Sequence, residues 1–110
     1  FVAGRKVEAL GVPVNVRLYL VRHATHLDFG RRLTGRAPGV PLSPEGEREA
    51  LGLARRLSAE ELSEVQTSPR ERARATAEAI GRASGAPVRV AEELDEIDFG
   101  DWTGAEFALL

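Results

Sequence analysis

Leu18-Tyr19-Leu20-Val21-Arg22-His23 is a four-residue apolar run that stops on a cation and an imidazole. Such a run suits a strand covered on both faces, as in a parallel sheet. We read the strand as Val14 to Val21 and the Gly-, Pro- and Arg-containing stretch Ala24 to Leu42 as a loop. Ser43-Pro44-Glu45 has the makings of a helix start. It offers a capping hydroxyl, a proline for the first turn and a carboxylate for the positive end of the dipole. Ala50, Leu53, Ala54 and Leu57 then recur at helical spacing, and the helix should end near Ser58. Val65-Gln66-Thr67 reads as a second strand. Ser68-Pro69-Arg70-Glu71 repeats the helix-start pattern, with Ser68 as cap, Pro69 at the first position and Glu71 in a capping box. Ala73, Ala77, Ile80 and Ala83 form its expected buried face, and Gly85 with Pro87 ends it. Val88-Arg89-Val90 is a third strand, residues 91–103 an acidic loop, and Ala105–Leu110 the start of a third helix.

The order strand, helix, strand, helix, strand favours a parallel sheet with covering helices, an α/β fold in three α/β/α layers. We expect one domain over residues 17–110, preceded by an extension, residues 1–16, to which the sequence assigns no role.

The chain has 110 residues, 43% hydrophobic and 29% charged, a composition for one modest core. Without cysteine there is no disulfide framework and no thiolate nucleophile. No apolar run reaches the roughly 20 residues of a membrane-spanning helix. Arg5, Lys6, Glu8 and Pro13 break the apolar pattern a signal peptide needs, so we expect a cytoplasmic protein with no membrane partner. There is no methionine, and we expect a processed chain or a piece of a longer frame.

The net charge of −2 hides an asymmetry. Residues 1–36 carry seven basic and two acidic groups; residues 91–110 carry seven acidic groups and no basic one. Lys6 is the only lysine. Arginine's planar fork suits bidentate phosphate or carboxylate binding. A nucleic-acid binder would be basic overall, with interleaved aromatics, and this chain is neither.

Ligands of open parallel sheets bind beyond the carboxyl ends of the strands. Arg22-His23 follows the first strand. Thr67-Ser68 follows the second and puts Arg72 early in the next helix, and Glu96 follows the third. Each has a bland explanation alone. His23 would be a structural hydrogen-bonder, Arg72 a partner of Glu71 or Glu78 on its own helix, and Glu96 a solvated acid. Trp102 would be a core or cap aromatic. Together they suit phosphoryl chemistry. Two arginines would hold phosphoryl oxygens, an imidazole would attack phosphorus, and a carboxyl would protonate the departing oxygen and then activate water. A metal-dependent hydrolase on His23, His26 and Asp28 is a competing use of the same loop.

Leu20-Val21-Arg22-His23-Ala24 resembles the Arg-His-Gly signature of the histidine phosphatase superfamily, the phosphoglycerate mutase-like fold. Further stretches fit in the same order. They are Leu33-Thr34-Gly35-Arg36, Pro41-Leu42-Ser43-Pro44-Glu45-Gly46, and Thr67-Ser68-Pro69-Arg70-Glu71-Arg72-Ala73 against a Ser-Pro-x-x-Arg-Ala motif. The last is Leu94-Asp95-Glu96-Ile97-Asp98-Phe99-Gly100-Asp101-Trp102-Thr103-Gly104, against the segment with the family's acidic residue. The resemblance implies a phosphomonoester hydrolase working through a phosphohistidine. His23 would be the nucleophile, Arg22 and Arg72 phosphate ligands, Glu96 the proton donor, and Thr34 and Gly35 part of the substrate loop. It implies a small phosphate-ester substrate, no metal and no cofactor. Ala24 stands where glycine is usual, Thr25-His26 replace Glu-Thr or Glu-Ser, and Phe29 sits where mutases have asparagine. The family's second pocket histidine, from its C-terminal half, has no counterpart here, so we expect a domain truncated after its first half. Two other uses stay open: a phosphoglycerate mutase-type phosphotransferase, and a non-catalytic fragment binding phospho-ligands or a partner. An unfinished sheet also leaves room for a homo-oligomer.

Overall fold

The structure, a computed structural model, describes residues 2–7 and 16–109. Its elements in order are β1 (Val2–Val7), β2 (Val16–Val21), α1 (Pro44–Leu57), β3 (Glu64–Thr67), α2 (Glu71–Ser84) and β4 (Val88–Val90). Short 3-10 turns follow at Ser58–Glu60, Glu92–Leu94, Gly100–Trp102 and Phe107–Leu109.

Strands β2, β3 and β4 run in one direction, as the alternation with helices requires, and β3 pairs with β4 in parallel. The sheet order is β2-β1-β3-β4. Between β2 and β3 lies β1, antiparallel to both, with Val2 opposite Val21 on one side and Thr67 on the other. Strands β2, β3 and β4 thus keep the common direction expected of a parallel sheet, and β1, from the segment before Arg17, enters it as an antiparallel strand that the sequence reading did not include. One intervening strand sets β2 and β3 about 10 Å apart. Their carboxyl ends still open on the same edge. Of the strand expected over Val14–Val21, residues 14 and 15 lie outside the described residues.

Helix α1 starts as read. Ser43 Oγ accepts from the Gly46 amide at 3.0 Å, Pro44 is the first helical residue, and Glu45 and Glu47 lie in the first turn. Helix α2 starts later than read. Arg70 is its N-cap, with no side-chain capping bond, so Ser68 does not cap it, Pro69 is not inside it and Glu71 forms no capping box. Ser68 is wholly buried at the end of β3, and its hydroxyl accepts from the Arg70 amide at 3.3 Å. The chain must first turn out of the sheet before it can coil. Gly85, left-handed at φ 72°, closes the helix as expected.

Ala73, Thr76, Ala77 and Ile80 form the buried stripe of α2, and α1 packs Ala50, Ala54 and Leu57 into the same core beside Val21 and Val65. Ala83, expected in that stripe, is exposed. The buried position is Gly81, where a Cβ would lie 2.6 Å from the Val88 side chain. On β2, Tyr19 and Val21 face this core, while Leu18 and Leu20 are 59% and 74% exposed on the other face. The described residues thus supply the sheet and one helical layer of an α/β/α arrangement. Among them no helix is long and apolar enough to cross a membrane.

The expected third helix at Ala105–Leu110 is only the turn at Phe107–Leu109 within the described residues. Trp102 is 64% exposed on the short turn Gly100–Trp102, so it is neither core nor cap. The loop after β2 is pinned to α1. The Thr25 carbonyl accepts from the Ser43 amide at 3.0 Å, and a Cβ on Gly46 would lie 1.9 Å from that oxygen. Gly46→Ala should therefore cost about 2–3 kcal/mol in urea unfolding, because backbone rather than a side-chain tip must move.

Candidate active site

Three chain segments meet beyond the strand ends. The end of β2 delivers His23, the first turn of α2 delivers Arg72, and the acidic loop after β4 folds back to deliver Glu96. His23 Nε2 lies 3.3 Å from Glu96 Oε1 and 3.4 Å from Arg72 Nε, and Arg72 Nη2 lies 3.7 Å from Glu96 Oε1. The bland pairing of Arg72 with its own helix is not what forms. Its guanidinium is almost wholly buried and donates through Nη2 to the Gly35 carbonyl at 2.5 Å.

His23 Nδ1 sits 3.1 Å from the Ala24 carbonyl. A carbonyl only accepts, so Nδ1 carries the proton and the Nε2 lone pair faces Arg72 and Glu96. Burial pulls the His23 pKa below the ordinary imidazole value. The Ala24 carbonyl opposes this, and the Arg72 cation adds to the lowering. A neutral imidazole with its lone pair in a cleft can act as a nucleophile.

The strand end is held from below. Thr76, one turn beyond Arg72, accepts from the Ala24 amide at 3.1 Å and donates to the Arg72 carbonyl at 2.8 Å. One hydroxyl thus fixes the segments carrying His23 and Arg72 relative to each other. Thr34 and Gly35 are both buried at the cleft wall. Gly35 has φ 47°, and a Cβ there would lie 2.5 Å from the Phe99 ring and 2.9 Å from the Ile97 carbonyl, so only glycine fits.

The cleft above His23 holds about 340 Å³ and is bordered by Arg22, Arg72, Glu96, Thr34 and Gly35, with Phe29 and Phe107 at its rim. All six residues singled out from the sequence line it. Arg22 is exposed and also borders an adjoining hollow with Thr25, His26 and Glu49. His26 lies with its ring centre 5.6 Å from that of His23. Among the described residues no three His, Asp or Glu side chains assemble as a metal-binding group, so His23, His26 and Asp28 form no such set.

The residues that sequence reasoning missed are those that hold the site. Thr76 had one signal, a hydroxyl inside an otherwise apolar helical stripe. Arg36, Arg70 and Asp95 had none beyond being charged. Asp95 is bound by both Arg70 Nε (2.9 Å) and Arg70 Nη2 (3.1 Å), and Arg36 Nε approaches it at 3.4 Å.

Known proteins resemble this chain in sequence and in fold. The family model for the histidine phosphatase superfamily (branch 1) matches residues 18–109. The chain is 36% identical over 86 residues to a probable phosphoglycerate mutase GpmB of Cronobacter sakazakii, covering 77% of this chain and 40% of that protein. It is also 36% identical over 88 residues to an adenosylcobalamin/alpha-ribazole phosphatase of Salmonella typhimurium, covering 79% and 43%. Among solved structures it resembles a mycobacterial glucosyl-3-phosphoglycerate phosphatase with a TM-score of 0.75 at 29% identity, covering 97% of this chain and 45% of that one. The chain spans less than half the length of these relatives. The ordered motifs, the strand-end site and the match over nearly all of residues 17–110 carry one conclusion: the chain belongs to the histidine phosphatase superfamily.

Proposed function

We propose that this chain carries the nucleophile and acid half of a phosphomonoester hydrolase that works through a phosphohistidine. The observation that carries the reading is the Nε2 lone pair of His23 set between Arg72 and Glu96. In the first step Nε2 attacks phosphorus and the ester P–O bond breaks. Glu96, as the carboxylic acid, gives its proton to the departing alkoxide. In the second step Glu96, now a carboxylate, takes a proton from water as that water attacks phosphorus. The P–N bond breaks, and inorganic phosphate and neutral His23 are released. Arg22 and Arg72 neutralise the phosphoryl oxygens throughout, and Thr34 and Gly35 shape the wall on which the ester lies. The substrate is a small phosphate ester whose leaving group faces the Phe29 and Phe107 rim.

Relatives named as a mutase and as a phosphatase stand at equal identity, so the choice of acceptor is an experimental matter. The protein is incubated with an aryl phosphate in the presence of chelator and quenched in alkali, which preserves a P–N bond. Release of phosphate with label trapped on His23 is expected. Label on another residue, or no turnover, overturns the reading; rapid transfer to a phosphoglycerate with negligible hydrolysis makes it a mutase.

The pH profile follows from the site. Attack requires neutral His23, whose pKa is lowered by burial. The acid limb of kcat/KM should therefore lie below the ordinary imidazole value of about 6.5, with activity retained at pH 6. A limb at or above that value would contradict the burial argument.

A further inference from the structure

Glu96 Oε1 is buried and has no hydrogen-bond partner of its own, although its place beside His23 is what the reaction above needs. With no hydrogen bond on that oxygen, its direction depends on the backbone that carries it as well as on the nearby Arg72 cation. That backbone is held on both sides. The Glu96 amide donates to Asp95 Oδ1 at 2.8 Å, and the Glu96 carbonyl accepts from Arg36 Nε at 2.7 Å. The Asp95 side chain is only 8% exposed and accepts from Nε and Nη2 of Arg70, the cap residue of α2, while Arg70 Nη1 donates to the Arg36 carbonyl at 2.7 Å. Three segments close on one carboxylate: the loop carrying Gly35, the start of the helix carrying Arg72, and the acidic loop.

We propose that Asp95, bound by Arg70 and Arg36, is a positioning residue that aims the Glu96 carboxyl at the leaving-group side of His23. Burial alone would raise the Asp95 pKa, but the Glu96 amide and Arg70 outweigh it and hold the carboxyl below the usual range. The clasp therefore stays charged wherever the enzyme works. With Asp95 neutral or removed, Arg70 and Arg36 lose their shared anion and Glu96 keeps at most one of its two backbone anchors. A displacement of about 1 Å in an acting group can cost about 100-fold. The clasp makes no hydrogen bond to Arg22 or Arg72, although Arg72 feels the opposed charges of Asp95 and Arg70, so phosphate affinity should change little.

The inference rests on the function proposed above, and the test separates the two. In Asp95→Ala, kcat/KM on an alkyl phosphate, which reports the first step with an alkoxide that must be protonated, should fall about 30- to 100-fold, with affinity for inorganic phosphate within about threefold. On a p-nitrophenyl phosphate, whose leaving group needs little protonation, the loss in kcat/KM should be under about fivefold; kcat falls on both esters where the shared second step limits it. Asp95→Asn keeps an acceptor for the Glu96 amide and should recover part of the alkyl rate. Equal losses in kcat/KM on the two esters, or none, overturn the proposal. If Asp95→Ala does not fold, Arg36→Ala frees the Glu96 carbonyl from an exposed side chain and should show the same ester dependence. An NMR arm needs no turnover. In the parent the His23 ring nitrogens should respond to the neighbouring Glu96 carboxyl, seen as a through-space contact between the two side chains, and in Asp95→Ala that contact should be lost. A contact that persists in the variant overturns the clasp; a contact present in a parent that never hydrolyses esters and lost in the variant supports the clasp and rejects the phosphatase.

Discussion

His23→Ala should abolish ester hydrolysis, by about 10⁴-fold or more in kcat, while leaving the thermal midpoint within a few degrees of the parent. The rate argument is that the two-step route exists only if a nucleophile takes the phosphoryl group first. Without it the remaining groups can bind and neutralise the ester but offer no covalent path. The stability argument is that His23 lies at the end of β2 and outside the hydrophobic core. Its polar partners are one carbonyl, one guanidinium and one carboxylate, and the last two are already 3.7 Å from each other. Removing the ring lets Arg72 and Glu96 close on one another and strands no charge. Phosphate should still bind, which calorimetry with inorganic phosphate would show. A variant keeping a tenth of the parental rate would remove His23 from the role of nucleophile.

Arg72→Ala is expected to differ from this in kind, losing activity and stability together. Arg72 is 2% exposed and holds the Gly35 carbonyl, lies against Glu96 and borders His23. Its loss leaves Glu96 without its cation and the Gly35 carbonyl without its donor. Breaking one side of such a buried pair costs about 3 kcal/mol, read as a shift in urea unfolding. On the mechanism proposed above, the same change withdraws a forked donor from the phosphoryl oxygens, so kcat/KM should drop by about 10²- to 10³-fold. Arg72→Lys keeps the charge but not the fork, and should restore stability more fully than activity. Arg22→Ala is the control. Arg22 is exposed at the cleft mouth, so its removal should weaken phosphate binding with no measurable change in unfolding. Equal unfolding curves for the Arg72→Ala protein and the parent would mean that the buried pair does not hold these segments together.

Several elements of the fold were legible because their signals are local. The run Leu18 to Val21 marked β2, Ser43-Pro44 marked the start of α1, and Gly85 marked the end of α2. Strand β1 was not legible. Val2-Ala3-Gly4-Arg5-Lys6-Val7 carries a glycine and two cations, and what makes it a strand is two backbone ladders with partners far along the chain. The late start of α2 was hidden for a similar reason. Ser68-Pro69 has a helix-start composition, but the burial of Ser68 at the sheet edge overrides it.

The sequence by itself determined which chemistry is available. An imidazole after one strand, an arginine after the next and a carboxylate after the third must converge once the strands run in one direction, because strand direction puts all three ends on one edge. Only the tertiary structure decided how these groups are aimed. Thr76 reaches Ala24 across 52 positions of chain, Arg36 reaches Glu96 across 60, and Arg70 reaches Asp95 across 25. Residue type and local spacing say which groups can donate or accept. They carry no information about pairings made across such separations, which exist only when burial of the common core brings the segments together.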